Sequence, residues 1–233
     1  MSATRSSSPR LTLPALRDVY AAYAREAERL PALPGVLQAE VAVSERLGAL
    51  EAAAPHAAGR RAALGDLITV LRAAGTSGAR VFLLALAAIG PVEGRRAAGK
   101  AAASLPDVPV PDWAADLGRV TPGTVWLIQE GPLDGDRLVC EFRYAGGGAP
   151  HALAVRLGYG DAPAEIVVVG DVPALMNAAR QAVQAELCVV QPYSAAEVGR
   201  RLRAVLDGDG PFPADCYPAL AVARHRAAAL PDA

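Results

Sequence analysis

From Leu13 to Leu105 apolar residues recur every three to four positions, the spacing that lines one face of a helix. In LPALRDVYAAYAREAERL the stripe is Leu16, Val19, Tyr20, Tyr23, Ala27 and Leu30, and Pro31 and Pro34 end it. The next helices are predicted over about 35–54, with Val36, Leu37, Val43, Leu47 and Leu50 apolar, and 56–74, with Leu64, Leu67, Ile68 and Leu71. The apolar run VFLLALAAIG follows, opened by Thr76 or Ser77 as N-cap and stopped by Gly90-Pro91. A fifth helix reaches Leu105. Short Gly/Pro turns make these helices antiparallel neighbours, either a bundle or a short HEAT-like array. The pentapeptide GRRAA occurs at 59–63 and again at 94–98, near the starts of the third and fifth helices. The flanks, LGDLITVL and GKAAASLP, do not match, which favours surface arginines in alanine-rich helices over a true repeat.

PDVPVPDW (106–113) cannot continue a helix, and beyond it the period falls to two. Strands are predicted at 124–130, 137–144, 151–159 and 164–170, forming a four-stranded antiparallel meander. Pairing Tyr144 with His151 sets Phe142 against Leu153, Cys140 against Val155 and Leu138 against Leu157, apolar against apolar. A three-residue loop, Leu133-Asp134-Gly135, sets Ile128 opposite Cys140 and Trp126 opposite Phe142. The other face carries Glu141, Arg143, Arg156 and Glu165. Asp171 and Pro173 open a helix whose Leu175, Met176, Ala179 and Val183 suit the sheet; SAAE at 194–197 opens another, and 217–230 a last one. The fold expected is α+β: a polar, disordered arm (1–10), a helical domain (11–105), then a meander packed by C-terminal helices (112–230).

Composition narrows the function classes. Hydrophobic residues make up 52% of the 233, so a sizeable core is available, although much of it is alanine. The net charge of −1 gives no basic excess to draw the chain onto nucleic acid or an anionic membrane. Lys100 is the only lysine, so 22 of the 23 basic residues are arginine, as GC-rich, bacterial codon usage would give. The three cysteines, Cys140, Cys188 and Cys216, are widely spaced and form neither a C-x-x-C pair nor a disulfide framework. The start is too polar for a signal peptide, and no apolar run reaches the ~20 residues of a membrane span. A cytoplasmic location is expected.

Each candidate motif has a plainer explanation. VVVGD lacks the glycines of a phosphate loop and puts Asp171 where a phosphate would sit, so it reads as a helix cap. AGGGAP joins two strands, and Asp134, Asp136, Asp161 and the DGDG at 207–210 read as turn residues without a closing calcium ligand. No metal site or cofactor is expected. Cys140 lies on the apolar sheet face and reads as a packed thiol. The arginine pairs at 60–61, 95–96 and 200–201 lie on separate helices without interleaved aromatics, so nucleic-acid binding is not expected. One clustering of titratable side chains stands out: His151 and Tyr144 as cross-strand neighbours near Arg143.

Residues 112–230 resemble a group of uncharacterised actinobacterial proteins. The resemblance rests on Trp113, Leu117 and Gly118, then Trp126, Phe142, Tyr144 and the run His151-Ala152-Leu153; the Asp-His pair that follows in that group is replaced here by RLGYGD. It implies a bacterial cytoplasmic protein and no particular activity. No catalytic constellation is legible, so whether the chain is an enzyme stays open. The expected function is a non-enzymatic protein-interaction or regulatory module whose partner is another protein or a second copy. The alternative is a small-molecule binder or enzyme. Its site would lie in the cleft between the helical half and the sheet, with Arg143, Arg156, Glu141, His151 and Tyr144 as ligand-binding residues.

Overall fold

The structure, a computed structural model, describes residues 14–54, 56–129, 135–158, 160, 162–185, 187–208 and 211–232. The arm 1–10, Leu133, Asp134, Asp161, Asp209 and Gly210 lie outside them. The first half is helical as its periodicity requires: α1 (Pro14–Ala27), α2 (Val36–Ala53), α3 (Ala57–Ala74), α4 (Ser77–Ile89) and α5 (Val92–Ala103). Thr76 is the N-cap of α4, its hydroxyl accepting from the Ala79 N–H at 3.2 Å. Apolar residues surround α4 on all sides, so it can be stable only in the centre. It touches α1, α2, α3 and α5, with Val81, Leu83, Ala85 and Leu86 fully buried. A linear array would leave each helix touching only its neighbours; this is a bundle around α4.

The two GRRAA copies are not equivalent. Gly94 and Ala98 are buried in α5, where a Cβ at Gly94 would stand 3.4 Å from Leu86 and 3.5 Å from Leu64. Gly59, in the first turn of α3, is exposed.

The rhythm change after residue 112 produces, among the described residues, an antiparallel sheet of five strands, not four, in the order β4-β3-β2-β1-β5. The strands are β1 (Val120–Gln129), β2 (Asp136–Tyr144), β3 (His151–Leu157), β4 (Pro163–Val169) and β5 (Val189–Pro192). The unforeseen β5 is four residues long and ends on proline, too short for a period-two signal. The β2–β3 register slides by two: Phe142 pairs with His151 and Cys140 with Leu153. A slip of two keeps every side chain on its expected face.

The β1–β2 register differs by an odd number, so it exchanges faces. Val125 meets Cys140 and Leu127 meets Leu138, while Trp126 meets Val139 and Ile128 meets Arg137. Both parities of VWLI are apolar, so alternation alone does not choose between them. Gly135, at φ +77°, is in the left-handed region as expected, and a Cβ there would sit 1.9 Å from the Leu157 carbonyl oxygen.

Helices cover both faces. On one, Val125, Leu127, Leu138, Cys140, Phe142, Leu153, Val155 and Leu157 pack against α7 (Ala195–Leu206) and α8 (Leu220–Ala229). On the other, Val139, Ala152 and Ala154 meet Leu175, Met176 and Ala179 of α6 (Val172–Gln184), whereas Val183 is exposed. Asp171 caps α6, its Oδ1 accepting from the Ala174 N–H at 2.9 Å, and Ser194 caps α7, accepting from Glu197 N–H at 3.3 Å.

The bundle and the sheet share a core, since Tyr144 and Ala221 pack with the bundle residues. Helix α2 lies on α8 and on the 3-10 turn Ala214–Ala219. Gly48 permits that approach: a Cβ there would be 1.9 Å from the Tyr217 carbonyl oxygen. Among the described residues no helix is long and apolar enough to cross a membrane.

Candidate functional site: a buried ionic hub and the cleft beside it

The apolar stripe of α2 includes Val36, Val43 and Leu47, and Glu40 lies on it. The stripe of α8 includes Val222, Ala223 and Ala227, and Arg226 lies on it. Both charged side chains are 0% exposed and form an ion pair. A buried charge is tolerated only when its hydrogen-bonding capacity is used. Arg226 Nη2 donates to Glu40 Oε2 and, at 2.8 Å, to the Tyr144 hydroxyl, which itself donates to Glu40 Oε2 at 2.8 Å. The other carboxylate oxygen accepts the Gly118 N–H at 2.7 Å.

Two histidines complete the guanidinium's shell. Arg226 Nε donates to His151 Nε2 at 3.1 Å, and Nη1 meets His225 Nδ1 at 2.8 Å. A guanidinium has no acceptor, so both ring nitrogens must accept. That places the proton of His151 on Nδ1 and that of His225 on Nε2. His151 Nδ1 is buried with no partner among the described residues. The Tyr144 and Phe142 rings flank the guanidinium at 5.4 Å and 5.8 Å, and Tyr144 stacks on His151 at 4.8 Å.

Burial, then the positive charge of Arg226, pushes His151 down to about 3. Burial, Arg226 and Arg95 push His225 down to about 4 against the opposing pull of Glu40. Tyr144 is raised by burial and by the Glu40 carboxylate. Cys140, on the same sheet face, is pushed up to about 12 by burial, which favours the neutral thiol. The hub holds a neutral pair of histidines against a paired charge. It ties α2, the turn at Gly118, β2, β3 and α8 to one guanidinium. Gly118, Phe142, Tyr144 and His151 all meet at or beside it.

The next residue face of α8 opens onto space. Ala221, Arg224, His225 and Ala228 share one side of the helix by their three- and four-residue spacing. All but His225 line a recess of about 190 Å³, with Gly48 and Arg95 opposite. It adjoins an outer cleft of about 450 Å³ that shares Glu51, Val92, Asp207 and Arg224 and adds Arg60, Glu93 and Tyr217. Arg224 holds the walls together. Its terminal nitrogens contact both Glu51 oxygens at 2.8–3.0 Å, its Nε donates to the Leu206 carbonyl at 2.8 Å, and it lies over Phe212 at 5.6 Å.

The five residues expected to bind ligand do not converge. Tyr144 and His151 are at the hub, facing the bundle. Glu141, Arg143 and Arg156 are on the opposite face, which looks toward α6 and not toward the bundle, because side chains alternate along β2 and β3. Glu141 and Arg143 pair at 3.0 Å beside an open groove of about 310 Å³ with Trp126, Met176 and Arg180. Arg156 pairs with Glu165 at 3.5 Å. Sequence reading missed Glu40, Arg226, His225 and the cleft residues Glu51, Arg95 and Arg224. Among the described residues no three His, Cys, Asp or Glu side chains gather as a metal site. No family model matches the chain, no curated protein matches its sequence, and no solved structure matches its fold.

Proposed function

We propose that the protein binds a polar small molecule in the cleft between the helical bundle and the C-terminal helices, with the Arg226 hub fixing the walls behind it. The observation that carries this reading is the convergence of charged side chains from α2, α3, α5, α7's end and α8 on one cavity of about 450 Å³. Ligand sites favour such junctions and are typically ~300–1,000 Å³. The Glu51–Arg224 clamp spans the junction and preorganises it, which lowers the ordering cost of binding. Val92 stands at the lip, 78% exposed. Val92→Trp should therefore obstruct the cleft without disturbing the core. Native mass spectrometry of the purified protein is expected to show a small-molecule adduct that Val92→Trp reduces at least about tenfold. An adduct unaffected by that substitution would remove the cleft from consideration.

A second reading, a protein-interaction module, is favoured by a separate observation. Val183, Leu187, Val189 and Tyr193 are 41%, 66%, 57% and 38% exposed, and they crowd the end of α6 and the edge strand β5. Exposed apolar residues at such density mark contact surfaces. Pro192 blunts this edge against strand addition, so side chains rather than backbone would make the contact. Light scattering across a concentration series is expected to show self-association that Leu187→Glu eliminates. A monomer at every concentration would leave only a different protein as partner.

A further inference from the structure

We infer that the cleft takes a zwitterionic amino compound, an ammonium group and a carboxylate joined by a short aliphatic spacer; this rests on the cleft being a ligand site. The clamp residues are spent on each other, because Glu51 and Arg224 neutralise one another through three contacts. The remaining charges are arranged along the cavity. Glu93 is exposed at the outer end and Asp207, also exposed, stands where cleft and recess meet; among the described residues neither carboxylate has an ion-pair or hydrogen-bond partner, whereas Arg60, the cation at the outer end, is engaged in an interaction of its own. At the inner end is Arg95, whose Nε donates to the Gly90 carbonyl at 2.6 Å. Its terminal nitrogens have no ion pair among the described residues.

The inner floor is apolar and buried at Leu47, Ile89 and Ala221; Pro91 and Val92 line both spaces and Tyr217 the outer one. Open carboxylates at the mouth and at the junction, an open guanidinium inside and an apolar lining beside them complement a molecule with the opposite order of charge. A monoanion would meet the two open carboxylates, and a monocation would leave Arg95 desolvated without a counter-ion; both are penalised.

The test is isothermal titration calorimetry of the full chain with glycine, 4-aminobutyrate and 6-aminohexanoate, against butylamine and butyrate as single-charge controls. Amide shifts of Val92, Gly208 and Tyr217 locate the binding. At least one amino acid is expected to bind about tenfold or more tightly than either control. Glu93→Gln with Asp207→Asn, both at exposed positions, should abolish that advantage while leaving butyrate affinity unchanged or improved. Arg95→Gln should reduce amino-acid affinity to that of butylamine. Butylamine or butyrate binding as tightly as the amino acids would overturn the ligand class and leave the cleft as a site. Probes that move none of the cleft amides, together with an adduct indifferent to Val92→Trp, would overturn the cleft itself.

Discussion

Arg226→Met is expected to lower the unfolding free energy by about 3–5 kcal/mol, the cost of stranding one member of a buried ion pair. Methionine fills much of the volume but leaves Glu40, 0% exposed, with no cation. The Tyr144 hydroxyl loses a donor, and His151 Nε2 and His225 Nδ1 lose theirs. Arg226→Lys should not restore stability, because one ammonium with three donors cannot reach Glu40, Tyr144 and both rings at once. Urea unfolding at pH 7 gives the measurement, through the midpoint at constant slope. Pairing Arg226→Met with Glu40→Gln should recover a large part of the loss, since the double variant has no buried charge to strand; the coupling energy is expected to exceed about 1 kcal/mol. A single-variant loss below about 1 kcal/mol would mean that the guanidinium is not the element joining bundle and sheet.

That hub was written in the sequence in a form that periodicity obscures. Glu40 and Arg226 each occupy a core position of a helical stripe, flanked by Val36 and Val43 in one case and by Val222 and Ala223 in the other. A lone charge on an apolar stripe signals a buried partner, but the partner was 186 residues away, and no local rule connects the two. Tyr144 and His151 were legible because a hairpin makes them neighbours. Helices and the β2–β3 face followed from local spacing, whereas the β1 face did not, since Val125 and Leu127 compete with Trp126 and Ile128 for the same core. The fifth strand depends on a pairing of residues 126–129 with 189–192 across the intervening meander and α6. The cleft depends on how α2 meets α8, which Gly48 permits and no periodicity encodes.

Acidification from pH 6.5 is expected to destabilise the protein, well before the carboxylates account for it. In the unfolded chain the two hub histidines titrate near 6.5; folded, His225 is held to about 4 and His151 to about 3. Between those values the unfolded state binds more protons than the native state, so stability rises with pH and falls as pH drops. Each histidine contributes a slope of at most ~1.4 kcal/mol per pH unit, and the pair at most ~2.7. The contribution is complete above pH 6.5 and ends once the folded rings themselves protonate. The groups around them explain the direction. His225 faces Arg226 and Arg95, with Glu40 opposing them, and His151 faces Arg226 and packs with the Tyr144 and Phe142 rings. A proton on either ring nitrogen that now accepts from Arg226 replaces a hydrogen bond with two donors in opposition. Urea midpoints at pH 7.0, 6.0 and 5.0 should therefore descend steeply, and His225→Gln should flatten the descent by roughly one proton's worth, because glutamine can still accept from Arg226 without titrating. A wild-type slope no steeper than that of the variant across this range would show that the rings reach their ordinary protonation in the folded protein, and that the hub is open to water.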